Sequence, residues 1–313
     1  MLMDKLVIGT RRSRLALLQA DIAATALRSR FEGLAVEVRP IDTEGDRILD
    51  KPLAAIDDKG LFTRAIEARL LDGSVDIAVH SLKDLPTDLP NGLSLGAVLM
   101  REASEDVLVG KAGLTLETLE SGARVGTSSV RRMAQLRRCR PDVKALDIRG
   151  NVETRLGKLD KGEYDALILA CAGLNRLQLE ARIACVLPAD RWYIAVGQGA
   201  LAIEIRANDE RIADLIRPLN HAPTRTATDA ERAFLHVLGG GCQAPAGVWT
   251  QFENGNLSIK GMVAGLWGTP FIEAEERGAQ RDAAAIGERL AQRILDKGGA
   301  EVLQTLRQNH ENR

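Results

Sequence analysis

The sequence predicts an α/β protein: two lobes of alternating strands and helices with a cleft, then a small C-terminal α+β domain on a three-stranded antiparallel sheet. Three observations carry that expectation. Strand-length apolar runs alternate with helix-period segments up to residue 99. The alternation restarts after Arg101-Glu102-Ala103-Ser104 and runs on to residue 170. From Thr224 onward the style changes, and Asn254-Gly255 lies between two strand-like runs, a strong hairpin signal.

The elements follow in chain order. Leu6-Val7-Ile8 reads as a buried strand ending at Gly9. A helix follows, capped by Ser13, with Leu15, Leu18, Ile22 and Ala26 on one face. Val36, Val38 and Ile41 alternate like a strand, 42–58 is a polar loop, and 61–71 is a helix with Phe62, Ile66 and Leu70 in register. Strands are expected at 76–82 and 93–99, giving a mostly parallel sheet. In the second lobe 107–109 is a strand, 116–119 a short helix, and Val125 ends a strand. Ser129 opens a helix to Arg138, followed by strand 143–148, helix 152–159 and strand 166–170. The stretch 195–206 is punctuated by glycine, then strand-like, and would cross back into the first lobe. Helix 224–238, strands 248–252, 257–263 and 271–275, and helices 283–295 and 301–308 complete the chain. The expected domains are 1–99 with 200–217, then 105–193, then 222–313.

Composition narrows the function classes. The chain has 313 residues, 45% apolar and 27% charged, which is globular composition. A net charge of −1 supplies no overall field toward nucleic acid or an anionic membrane. Aromatics are only 3%, so Leu, Ile, Val and Ala must fill the cores. Arg supplies 32 of the 42 basic residues. A GC-rich genome gives the same excess, and so does a site for planar anions, because guanidinium pairs with carboxylate in two-pronged fashion. Cys139, Cys171, Cys185 and Cys242 form no C-x-x-C pair and the four histidines are scattered, which argues against zinc or a disulfide framework. The N-terminal segment has no long apolar stretch of a signal peptide, and the longest uncharged run, 233–252, carries a glycine triplet, His236, Gln243 and Pro245. The expectation is a soluble cytoplasmic protein with no metal.

Four segments carry chemistry. Val79-His80-Ser81-Leu82-Lys83-Asp84-Leu85-Pro86 brings a buried strand out into a basic and an acidic residue, at the strand end where α/β sheets bind ligands. Residues 124–155 hold nine basic and three acidic side chains, a net +6 in 32 residues. There Gly126-Thr127-Ser128-Ser129 opens a helix whose first turn carries Arg131 and Arg132 against the helix dipole, a penalty that a bound anion offsets. Arg149-Gly150-Asn151 repeats the arrangement. RNA recognition wants stacking aromatics beside the charge and this stretch has none, so a polycarboxylate or phosphate is the better ligand. Gly239-Gly240-Gly241-Cys242-Gln243 puts a thiol on a backbone-rich loop, with no base fixed by spacing. Val196-Gly197-Gln198-Gly199-Ala200 reads as a hinge or a close backbone approach to ligand, and lacks the dinucleotide spacing.

Together these segments resemble the porphobilinogen deaminase (hydroxymethylbilane synthase) family. The resemblance starts at Gly9-Thr10-Arg11-Arg12-Ser13 and runs to the C-terminal helices. Its most specific parts are Ile77 to Asp84, Val125 to Arg132, Arg149-Gly150-Asn151-Val152, Ala195 to Gly199, and Gly240-Gly241-Cys242-Gln243. It implies periplasmic-binding-protein-like lobes and a transferase that joins four porphobilinogen molecules head to tail, releasing ammonia, to give 1-hydroxymethylbilane. It implies a dipyrromethane cofactor on Cys242 through a thioether, and Asp84 as the catalytic carboxylate. Lys83, Thr127, Ser129, Arg131 and Arg132 would hold the cofactor. Arg11, Ser13, Gln19, Arg149, Arg155 and Arg176 would face substrate, and Lys59 would belong to a lid. Arg14, Glu44, Asp58 and Ile194 depart from the family pattern. With no coiled-coil seam visible, a monomer without nucleic-acid or membrane partners is expected, and the resemblance implies that its product passes to uroporphyrinogen-III synthase. The rival reading is a non-catalytic two-lobed binding protein for a small polycarboxylate. It needs the arginines and not Cys242.

Overall fold

The fold is described from a computed structural model, which covers residues 4–47, 60–239 and 245–311. The described residues divide into two compact units, 4–47 with 60–102 and 199–225, and 103–198 with 226–239 and 245–311.

The first unit is built on β1 (Lys5–Arg11), β2 (Ala35–Ile41), β3 (Ile77–Ser81), β4 (Leu93–Val98) and β10 (Leu201–Arg206). Their order in the sheet is β2-β1-β3-β10-β4. β1 runs parallel to β2 and β3, and β10 runs antiparallel to β3 and β4. The sheet is therefore mixed where the alternation suggested mostly parallel. A continuous apolar run marks a strand buried on both faces and carries no direction. Helix α1 (Arg14–Arg30) begins as expected, with the Ser13 side chain accepting from the Ala16 amide at 3.3 Å. Its inner face differs from the expected one: Ala16, Ala20, Ala23, Ala24 and Leu27 are buried, and Ile22 is 42% exposed. Small side chains let the helix lie close on Leu6, Ile8, Ile77 and Ile203. A short helix, α2 (Glu44–Arg47), opens the expected polar loop, and most of that loop lies outside the described residues. Helix α3 (Arg64–Leu71) buries Ile66 and Leu70 as the register predicts. Helix α7 (Glu210–Ile216) follows β10, and Ile212 and Ile216 join the same core.

The second unit holds two sheets. β5 (Asp106–Val109), β6 (Arg124–Gly126), β7 (Lys144–Leu146), β8 (Ala166–Ala170) and β9 (Ile183–Val186) lie in the order β7-β6-β8-β5-β9, again mixed. The strand β9 has no clear sequence signal because it is a half-buried edge. Residues 116–118 form a turn rather than the expected short helix, with Thr115 and Thr118 exchanging local hydrogen bonds. Helices α4 (Val130–Cys139), α5 (Val152–Asp160) and α6 (Cys171–Arg176) start at strand ends. Helix α8 (Ala222–Val237) leads to the antiparallel sheet β11 (Ala246–Glu253), β12 (Asn256–Ala264) and β13 (Phe271–Ala279), covered by α9 (Ala283–Ile294) and followed by α10 (Ala300–Glu311). The hairpin signal resolves as Glu253 paired with Asn256 across Asn254 and Gly255, both with positive φ. Helix α9 lies so close to α8 that a Cβ on Gly287 would sit 2.0 Å from the Ala230 carbonyl oxygen.

Candidate functional site

In the first unit several of the candidate side chains gather at the end of β3. A 3-10 turn, Leu82–Asp84, follows Ser81. Leu82 and Leu85 are buried, and the Leu82 amide donates to the Ala200 carbonyl at 3.0 Å. These two apolar anchors fix the turn and leave Lys83 and Asp84 half-buried at its surface. One pocket brings together Asp84, Arg11 from β1, Ser13 at the start of α1, and Gln19 within α1. The Gln19 amide donates to Ser81 Oγ at 2.9 Å, which ties α1 to the end of β3. The sequence places Phe62 in one helical register with Ile66 and Leu70. It lines this pocket, with the Arg11 guanidinium 4.1 Å above its ring. His80 lines the pocket too.

In the second unit the centre is a carboxylate that sequence reasoning missed. Asp106, at the start of β5, is fully buried. Its Oδ2 receives Arg131 at 2.8 Å and Trp192 Nε1 at 2.8 Å. Its Oδ1 receives Arg132 at 2.6 Å and Gln198 Nε2 at 2.8 Å. Burial pushes this carboxyl up, but the two guanidinium groups and their hydrogen bonds outweigh burial and hold it far below the usual carboxylate range. The segment read as a hinge thus supplies a ligand to the cluster, Gln198. Gly197 beside it donates its amide to Glu231 at 2.7 Å. The only sequence signal for Gln198 was its position between two glycines, Gly197 and Gly199, both of positive φ.

The arginines reach Asp106 because Ser129 caps α4, its Oγ accepting from the Arg132 amide at 3.4 Å. That cap places Arg131 and Arg132 in the first turn with side chains 4% and 8% exposed. The expected dipole penalty is therefore offset in part by the chain's own anion. Two guanidinium groups against one carboxylate leave an excess of one positive charge. Buried Arg132 Nε has no hydrogen-bond partner among the described residues. Thr127 is buried next to this cap and its Oγ1 accepts from the Ser129 amide at 3.3 Å.

Arg149 and Arg155 flank the start of α5, half-buried. Asn151 caps that helix, accepting from the Thr154 amide at 2.8 Å, and Arg155 Nε donates to the Gly150 carbonyl at 2.9 Å. Gly150 has φ of 112°, and a Cβ there would meet Thr154 at 2.6 Å, so no other residue fits. Arg176 ends α6, half-buried. Cys139 is exposed, Cys171 buried and Cys185 intermediate. His236 is exposed near the end of α8. Cys242 and Lys59 lie outside the described residues. Among the described residues no cluster of three or more His, Cys, Asp or Glu is placed to hold a metal, and no helix is long and apolar enough to cross a membrane.

A family model described as porphobilinogen deaminase, dipyromethane cofactor binding domain, matches residues 6–214, and one described as the C-terminal domain of porphobilinogen deaminase matches 226–296. The chain belongs to the porphobilinogen deaminase family. A relative named porphobilinogen deaminase from Desulforudis audaxviator (strain MP104C) is 49% identical over 97% of this chain and 98% of its own length. One from Synechococcus sp. (strain CC9311) is 50% identical over 98% of each chain. One from Xanthomonas axonopodis pv. citri (strain 306) is 47% identical over 97% of this chain and all of its own. Among solved structures, the BenM effector binding domain with benzoate is 16% identical, with a TM-score of 0.43 over 69% of this chain and 92% of that one.

The family's dipyrromethane cofactor carries acetate and propionate groups, and the residues present suit it. A buried cluster with one surplus positive charge and an orphaned guanidinium N–H is chemically matched to a carboxylate.

Proposed function

We propose that this chain joins four porphobilinogen molecules head to tail, releasing ammonia at each step, and that water then cleaves the bond to the primer and supplies the hydroxyl of the released 1-hydroxymethylbilane. The observation that carries the reading is the pocket that places the Asp84 carboxylate beside Arg11, Ser13 and Gln19. In each step the C–N bond of the substrate aminomethyl group breaks, ammonia leaves with the electron pair, and a C–C bond forms to a free pyrrole α-carbon. Positive charge develops on the methylene carbon and then on the attacked pyrrole. Asp84 stabilises both cations electrostatically. Arg11 and the hydroxyl and amide of Ser13 and Gln19 orient the acetate and propionate of the incoming ring. Arg149, Arg155 and Arg176 would also bind substrate carboxylates. Each charge-assisted hydrogen bond contributes about 1.5–3 kcal/mol.

Dipyrromethane, when held by the Cys242 thioether, supplies the pyrrole to which the first substrate is joined. Arg131, Arg132 and Lys83 would hold its carboxylates, with Thr127 and Ser129 as neutral partners, and Lys59 would belong to the lid. A net charge of −1 with 3% aromatics favours a small-molecule substrate and no nucleic acid. We further propose a cytoplasmic monomer that passes its product to uroporphyrinogen-III synthase. The rival binding protein would need the arginines and neither Asp84 in the pocket nor Cys242.

Purified protein given porphobilinogen should release ammonia and a colourless product that oxidises to uroporphyrin. Reversible binding without ammonia release would establish the binding-protein reading instead.

A further inference from the structure

Three ionisable side chains, His80, Glu204 and Glu67, sit together in the first unit. His80 Nε2 and Glu204 Oε2 are 3.1 Å apart, and both side chains are essentially buried, at 3% and 0% exposure. Among the described residues Glu204 Oε1 has no hydrogen-bond partner, nor does Glu67 Oε1 on α3, the helix that packs against β10. Burial pushes the Glu67 carboxyl up, and neighbouring Glu204 adds to the rise. Buried ionic clusters are seldom stabilising against an apolar replacement, so stability does not account for this one. The same His80 lines the pocket that holds Asp84 and Arg11.

Coupling leaves a proton to be removed. When the new C–C bond forms, the attacked pyrrole α-carbon keeps its hydrogen and the ring loses aromaticity. The C–H bond must break, its electron pair returning to the ring and its proton going to a base. With the pocket reading of Asp84 taken as given, we propose that His80 is that base, oriented by Glu204. A carboxylate accepting from Nε2–H fixes the tautomer and leaves Nδ1 to take the proton, which then passes to solvent. Asp84 holds the cation, and His80 removes its proton.

The first test needs no turnover. In protein labelled with ¹⁵N-histidine the four histidines give four pairs of ring-nitrogen signals, and the pair missing from His80→Asn belongs to His80. Long-range ¹H–¹⁵N spectra should show Nε2 protonated and Nδ1 bare. Protonated Nδ1 with bare Nε2 would overturn the proposal. The second test uses porphobilinogen deuterated at the free α-carbon. His80→Asn should keep the cofactor mass, lose about 100-fold in kcat, and show a raised deuterium isotope effect. Where His80→Asn does not fold, Glu204→Gln serves: it removes the carboxylate charge that fixes the tautomer and should lower kcat with the same isotope signature. Near-native turnover, or lost turnover with an unchanged isotope effect, would overturn the proposal. So would a raised isotope effect in Asp84→Asn, which would make Asp84 the base. If the native chain consumed no porphobilinogen, the enzyme reading would fail instead, and the histidine spectra would be unaffected.

Discussion

Asp106→Asn tests whether the buried carboxylate organises the second unit. Asn keeps the shape but removes the charge that faces two guanidinium groups and turns one acceptor into a donor opposed to Arg or Gln198. Removing one partner of a buried ion pair costs about 3–5 kcal/mol, because the remaining charge is left uncompensated. Four hydrogen bonds of 2.6–2.8 Å converge here, so the upper half of that range applies. At that size the melting temperature should fall by roughly 10 °C, read by calorimetry. The acid behaviour gives an independent check. The folded carboxyl lies far below its unfolded value of about 3.9, so its contribution is complete above that value and is lost as pH falls toward the folded one. Native protein should therefore lose stability more steeply below about pH 4 than the variant does. A loss under about 1 kcal/mol, or parallel acid profiles, would refute the account of this cluster.

Other perturbations separate the roles. Asp84→Asn should fold and retain cofactor while kcat falls at least about 100-fold; near-normal turnover would remove Asp84 from the chemistry. Arg131→Leu or Arg132→Leu should yield protein without attached cofactor by intact mass, whereas Arg155→Leu should keep the cofactor and raise KM. Ser129→Ala removes the α4 cap and should cost about 0.5–2 kcal/mol in denaturant melts, with weaker cofactor retention because Arg131 and Arg132 ride on that turn.

Much of the fold was legible because periodicity reports burial. Strand positions, the Asn254-Gly255 hairpin and the Ser13 and Ser129 caps are local signals and appear where read. What periodicity does not encode is direction and closeness of approach. β10 was visible as a buried strand and not as an antiparallel one. The inner face of α1 was misassigned because large apolar side chains were favoured over the alanines that allow tight packing. Arg131 and Arg132 stood out as charge in a nearly neutral chain. Asp106, 25 residues from Arg131, was one acidic residue among several, and only the strand order brings it beneath them. The His80–Glu204 pair spans 124 positions and joins neighbouring strands, so no local pattern announced it.

The central claim is that a pyrrole primer is covalently held on Cys242 and cradled by guanidinium groups. The mass of the intact, freshly purified chain tests it most directly. The account predicts an excess over the sequence mass equal to two linked pyrrole units, absent from Cys242→Ser. A native mass equal to that of the polypeptide alone, even after incubation with porphobilinogen or the tetrapyrrole product, would contradict it.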